Sequence, residues 1–164
     1  NEQLVFHGTT WSCSLGQEEE NVNLCQNMTC SLCCILQTSF LVSKACSAGR
    51  IFSRFGPGIY TSSVSSKADD YANAQWYSGN KVMIVAKAAL GKGSNHYTTS
   101  LHLTAPPLGY DSVSCFVPQT VLGEVGVHLN YDEQVLYKNE AIRPAYIIIY
   151  EQWKRPWSVY DDDY

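Results

Sequence analysis

The sequence predicts an α+β domain with largely antiparallel sheets, and three observations carry that expectation. Short runs of β-branched and aromatic residues recur along the chain, separated by turn-forming residues. Only two stretches show helical spacing, and both lie in the first half. The length of 164 residues, with 45% hydrophobic and 16% charged content, suits one compact domain that buries a real core.

The elements follow in order. Leu4-Val5-Phe6 before His7-Gly8-Thr9 reads as a strand running into a turn. Residues Trp11–Thr29 are polar and punctuated by cysteine, so they read as a loop with little to bury. Ser31–Lys44 places Cys33, Ile35, Leu36, Phe40 and Leu41 at helical spacing, with Ser31 as N-cap. A glycine-punctuated loop then leads through Pro57-Gly58 into the strand Ile59-Tyr60-Thr61. Ser65–Asn73 reads as a helix, with Asp69 and Asp70 in its early turns where the dipole favours acids. Lys81–Leu90 is the longest strand expected, and Thr104–Asp111, with Pro106-Pro107 and Gly109, must be a loop. Ser114–Val117, Gly126–Leu129, Gln134–Tyr137 and Tyr146–Tyr150 complete the strands, and Asp161-Asp162-Asp163 reads as a solvated tail.

Net charge of −4 and a pI near 5.5 argue against a broad phosphate-binding surface, which clusters of Lys and Arg would signal. No basic region leads into an apolar run of signal-peptide length at the start of the chain, and no apolar stretch approaches the ~20 residues that span a bilayer. No membrane association is expected. Six of the seven cysteines lie between Cys13 and Cys46, and an odd count does not suit a complete disulfide framework. Reduced thiols in a cytoplasmic or nuclear protein are the expectation, with secretion left open by the sequon Asn27-Met28-Thr29. Within this group Cys13, Cys25, Cys30 and Cys33 run as C-x11-C-x4-C-x2-C, followed directly by Cys34. Three readings stand side by side: a structural zinc site, free thiols packed as small hydrophobes, or a Cys13–Cys25 or Cys25–Cys30 disulfide.

Three further segments attract attention when read together: Phe6-His7-Gly8-Thr9, then Gly56-Pro57-Gly58-Ile59-Tyr60 through Tyr71, then Asp132-Glu133-Gln134-Val135-Leu136-Tyr137. Each alone has a bland explanation, as a turn histidine, a Gly-x-Gly turn or a solvated acid. Their order and content resemble the catalytic core of the poly(ADP-ribose) polymerases. That core has a His-Gly pair, a Gly-Ile-Tyr strand with a Ser-Lys-rich helix and second Tyr, and a late Glu on a strand. The run Pro107-Leu108-Gly109-Tyr110-Asp111-Ser112-Val113 resembles another loop of the family, and the resemblance extends from about Leu4 to Tyr150. A Cys-Ser-Leu-Cys-Cys stretch like Cys30–Cys34, in a cysteine-rich insertion here at about 13–34, is similar to one in PARP-like proteins of fungi.

The resemblance implies an ADP-ribosyltransferase fold of two packed, mainly antiparallel sheets with a few flanking helices, in one domain over 1–164. It implies NAD⁺ as substrate, with cleavage of the nicotinamide–ribose bond and transfer of ADP-ribose to an unknown protein or nucleic-acid acceptor. Glu133 would take a hydrogen bond from the nicotinamide-ribose hydroxyl and favour the cationic sugar. His7 would hold the adenosine-ribose hydroxyl, and the bare backbone of Gly8 would pair with the nicotinamide amide. Tyr60 and Tyr71 would stack on the nicotinamide ring. Arg54 or Arg50 would contact the pyrophosphate. Ala68 departs from the pattern, standing where the family usually has a serine that bonds the nicotinamide carbonyl, so weaker NAD⁺ binding is expected. Single-unit transfer is favoured over polymer growth, because no elongation site is recognisable. Two alternatives remain: an NAD⁺ glycohydrolase, and a module that binds NAD⁺ or ADP-ribose without chemistry. No role falls to His96, His102 or His128, and a monomer suffices for each of these functions.

Overall fold

The computed structural model describes residues 1–45, 53–73, 75, 78–115 and 131–151. Strand β1 (Glu2–Gly8) is followed by helix α1 (Ser31–Thr38), strand β2 (Ile59–Thr61) and helix α2 (Ser65–Asp69). Strands β3 (Asn80–Ala89), β4 (Gly93–Asn95), β5 (Ser112–Cys115), β6 (Glu133–Leu136) and β7 (Ile142–Glu151) complete the set, with 3₁₀ turns at Val42–Lys44 and Asn139–Ala141. One sheet has the order β1-β3-β7 and the other β2-β6-β5-β4. All pairings are antiparallel except β4 with β5, so the α+β class and the two mainly antiparallel sheets are as expected. A reciprocal backbone pair, Phe6 N–H to Ser62 O at 2.8 Å and Ser62 N–H to Phe6 O at 3.0 Å, stitches one sheet to the other.

Central strand β3 explains the core. Val82, Ile84, Ala86 and Ala88 alternate onto one face and pack with Val5, Trp11, Leu15, Leu32, Phe40, Ile59 and Leu136, drawing on both sheets and α1. A second cluster on the smaller sheet joins Phe55, Val113, Cys115 and Val135. The β3–β7 register shifts between Val85 and Ala86, where Pro144 stands opposite Ala86; a residue without an N–H suits such a bulge.

Several boundaries differ from expectation. Helix α1 stops at Thr38 rather than Lys44, because Ser39 turns into the left-handed region (φ 64) and Phe40 drops into the core. Cys30, not Ser31, occupies the N-cap position; Ser31 Oγ pairs with Thr10 Oγ1 at 3.0 Å. Helix α2 ends at Asp69, so this acid closes the helix instead of opening it, held there by Lys81 Nζ at 2.9 Å and Tyr150 OH at 2.6 Å. The loop at Trp11–Thr29 is irregular as expected, yet it does bury side chains, Trp11 and Leu15 among them. Strand β4 was not foreseen, since Gly93-Ser94-Asn95 carries no β-forming residue and is held by parallel pairing to β5. The candidate strand at Gly126–Leu129 and the tail at 161–163 lie outside the described residues. Among those described, no helix is long and apolar enough to cross a membrane.

Candidate functional site

Strand β1 delivers His7 and Gly8. The His7 Nδ1 lies 2.8 Å from the Tyr60 carbonyl oxygen. A carbonyl only accepts, so Nδ1 carries the hydrogen of this bond. The Phe40 ring meets the imidazole in a T-shaped contact, 5.1 Å between centroids and 84° between planes. Gly8 must be glycine for a steric reason. A Cβ there would sit 1.8 Å from the Ala68 carbonyl oxygen and 3.0 Å from Tyr71 Cβ, so β1 and the region around α2 close tightly at this point.

The Gly-x-Gly turn places Tyr60. Gly56 adopts φ +70, and a Cβ on it would strike the Leu103 carbonyl oxygen at 1.8 Å. Tyr60 OH donates to the Gly56 carbonyl at 2.9 Å and accepts the Phe55 N–H at 2.8 Å, which pins the phenol by both its donor and its acceptor. In the β2–β6 ladder Tyr60 stands opposite Val135, and Glu133 lies two residues from Val135, so phenol and carboxylate emerge on one face of the smaller sheet.

Glu133 itself is buried. Lys67 Nζ approaches its Oε1 at 3.1 Å and sits 5.3 Å from the Tyr71 ring centroid. Burial by itself would lower the Lys67 ammonium, but the Glu133 carboxylate and the Tyr71 hydroxyl outweigh it, and its pKa lies above the ordinary lysine value. Oε2 of Glu133 is buried with no hydrogen-bond partner among the described residues. The neighbouring Asp132 anchors the start of β6 to the end of β2, accepting from Ser62 Oγ at 2.9 Å, Ser63 Oγ at 3.0 Å and Ser63 N–H at 3.2 Å.

His7, Gly8, Tyr60, Lys67, Ala68, Tyr71 and Glu133 therefore form one continuous series of contacts. Lys67 is the member of this series to which the sequence assigned no role, as it assigned none to the neighbouring Asp132. Lys67 stands immediately before Ala68 and was the available signal. Ala68 is buried, and Ser66 is exposed. Arg54 is engaged with the 99–100 turn, its Nη1 at 3.5 Å from Thr99 Oγ1 and its carbonyl accepting Ser100 N–H at 2.8 Å. Arg50 and His128 lie outside the described residues. His96 has a packing role, with Nε2 at 3.3 Å from Ser94 Oγ and its ring edge-on to Phe55.

The four spaced cysteines converge. The sulfurs of Cys13, Cys25, Cys30 and Cys33 all lie within 4.8 Å of one another, with Cys13 3.8 Å from Cys30 and 3.5 Å from Cys33. Zinc–thiolate bonds of ~2.3 Å in a tetrahedron separate sulfurs by about 3.8 Å, so the donor set fits Zn²⁺ in number, type and spacing. All four are free thiols in the structure, as are Cys34 and Cys115; Cys46 lies outside the described residues. Burial tends to raise the Cys30 thiol, but N–H groups of Cys33 and Ser12 and neighbouring thiols bring it down to about 7. Burial pushes Cys13 and Cys33 up.

Residues 1–152 match the family described as the poly(ADP-ribose) polymerase catalytic domain. The protein mono-ADP-ribosyltransferase PARP4 of Mus musculus is 36% identical over 93 residues, which is 57% of this chain and 5% of that protein. Its namesake in Homo sapiens is 34% identical over 93 residues, with the same coverage. This chain thus spans 5% of the length of the curated relatives it matches. A match that runs across nearly the whole chain, three motif segments and the cysteine loop between them included, is more than a shared motif: the chain belongs to the poly(ADP-ribose) polymerase catalytic domain family.

Proposed function

We propose that this chain is an NAD⁺-dependent ADP-ribosyltransferase that moves a single ADP-ribose unit onto a protein or nucleic-acid acceptor. One observation carries the reading: a buried carboxylate, Glu133, with one oxygen held by Lys67 and the other lacking a donor among the described residues. A buried acceptor without a donor is costly, so Oε2 is suited to receive one from a ligand, and a ribose hydroxyl is a donor of the right kind. Lys67 pairs with the carboxylate through its other oxygen. Bond cleavage leaves positive charge on the anomeric carbon, and nicotinamide departs neutral with the bonding pair. The fixed negative charge of Glu133 then favours the cationic sugar. An acceptor lone pair attacks the anomeric carbon, and the acceptor's proton passes to Glu133 or to water. His7 takes the adenosine-ribose hydroxyl, Gly8 pairs through its backbone with the nicotinamide amide, and Tyr60 and Tyr71 offer the ring faces for stacking. Arg54 serves the pyrophosphate. Single-unit transfer accords with the names of the relatives.

Mass spectrometry of candidate acceptors incubated with NAD⁺ tests the assignment. Wild-type protein should add one ADP-ribose mass, and Glu133→Gln should cut the rate by about 10²–10³. Equal labelling by the variant would remove Glu133 from the mechanism. Nicotinamide release without adduct would indicate a glycohydrolase, and NAD⁺ binding without nicotinamide release a binding module.

The same reading gives Cys13, Cys25, Cys30 and Cys33 a structural Zn²⁺, and free thiols accord with a cytoplasmic or nuclear setting. Elemental analysis of protein purified without chelator should find about one zinc per chain. Finding none would retire the metal.

A further inference from the structure

The four-thiol cluster and His7 are linked by two short routes. The first is the chain itself. Beyond His7 and Gly8, Thr9 is buried, the Thr10 carbonyl accepts Leu32 N–H at 3.0 Å, Trp11 is buried, and Ser12 N–H reaches Cys30 Sγ at 3.4 Å just before Cys13. The second runs through α1. Cys30 occupies the N-cap position, Cys33 lies in the first turn, and the far end turns at Ser39 to deliver Phe40, whose ring meets the His7 imidazole in a T-shaped contact.

Little within α1 itself holds it in place. It has 8 residues, no side-chain cap, no acid in the first turn and no base in the last. A helix so short is marginal without outside anchors. Its anchors are the buried Leu32 and Cys33, Ile35 and Leu36 packed against the core, the pairing with Thr10, the bond from Gln37 Nε2 to the Cys25 carbonyl at 2.9 Å, and the sulfurs at its N-terminal end. Four metal–sulfur bonds would make that end rigid, and rigidity would pass along two turns to Phe40.

We propose that the metal-loaded cysteine cluster is a positioning device for the dinucleotide site, holding α1 so that Phe40 fixes the His7 imidazole and thereby setting NAD⁺ affinity more than the chemical step. This rests on the zinc and NAD⁺ readings above. Phe40 is a positioning residue, since it acts through His7.

Calorimetric NAD⁺ affinity and metal content, measured on the same samples, provide the test. Wild-type protein should hold one zinc and bind NAD⁺. Cys25→Ser, which removes a half-buried ligand from the loop rather than a core thiol, should lose zinc and weaken NAD⁺ binding roughly two- to tenfold, the worth of an aromatic contact. Phe40→Leu should keep its zinc and show a similar loss, with KM rising and kcat within about twofold. In a His7→Ala background, Cys25→Ser should cost nothing further. Equal loss with and without His7 would overturn the coupling, as would unchanged affinity in zinc-free protein or in Phe40→Leu. Wild-type protein without zinc would overturn the metal reading, and wild-type protein that never binds NAD⁺ would overturn the function; each failure shows in a different measurement. Should Cys25→Ser not fold, chelator-stripped wild-type protein and chelator-stripped His7→Ala take its place in the same comparison, and an equal loss in both would overturn the coupling.

Discussion

Lys67 and Glu133 form a pair whose side chains are both largely withdrawn from water, at 12% and 5% exposure. Removing one member leaves the other as an unmatched buried charge. Lys67→Met is expected to destabilise the fold by about 3–5 kcal/mol, because it leaves the Glu133 carboxylate buried without its partner. Denaturant unfolding measures the loss, and a variant as stable as wild type would deny the pair this role. Gly8 is constrained by space rather than charge. Gly8→Ala would press its methyl into the Ala68 carbonyl, and separation of β1 from α2 should cost about 1–3 kcal/mol and most of the NAD⁺ affinity. Calorimetry that finds normal NAD⁺ binding in Gly8→Ala would show that the two segments part without disturbing the site.

At the scale of elements, α2 owes its position to residues distant in sequence. Its last residue, Asp69, takes Lys81 from β3 and Tyr150 from β7, which fastens a 5-residue helix to the larger sheet. Burial works to raise the Asp69 carboxyl, but the Tyr150 hydroxyl and the Lys81 ammonium prevail and hold it below its ordinary value of 3.8. A depressed folded-state pKa gives stability that is present above about 3.8 and drains away as acid protonates the group. Wild-type protein should therefore be more stable than Asp69→Asn at neutral pH, with the gap closing below about pH 4. A gap of constant size from pH 7 to pH 2 would deny Asp69 this role. Asp132 does for β6 what Asp69 does for α2, since its bonds to Ser62 and Ser63 bring the strand bearing Glu133 against the end of β2.

For the molecule as a whole, the cysteine insertion is part of the core. Cys30 and Cys33 belong to the same buried cluster as Val5, Ile84 and Phe40, so the metal reading makes zinc a participant in global stability. Stripping the ion should lower Tm by about 10 °C, and restoring Zn²⁺ should recover it. Calorimetric scans with and without chelator measure this directly, and identical curves would confine the cluster to a local role.

The order of the strands, the glycines at the turns and the candidacy of Glu133, His7, Tyr60 and Tyr71 were legible in the residues, because local propensity and motif spacing are written in neighbouring positions. Helix ends were not. Whether α1 ran on to Lys44 depended on Phe40 finding the core, and whether Asp69 opened or closed α2 depended on partners 12 and 81 residues away. The cysteine spacing left zinc, free thiols and disulfides all open, with zinc in front, and only the chain's return brought four sulfurs to within 4.8 Å. The sequence by itself determined which chemical groups this protein owns and the family pattern they follow. Tertiary structure alone decided that Lys67 neutralises Glu133, that Phe40 braces His7 and that the thiols meet, because charge pairing, ring contact and metal geometry act through space over a few ångströms, whatever the distance along the chain.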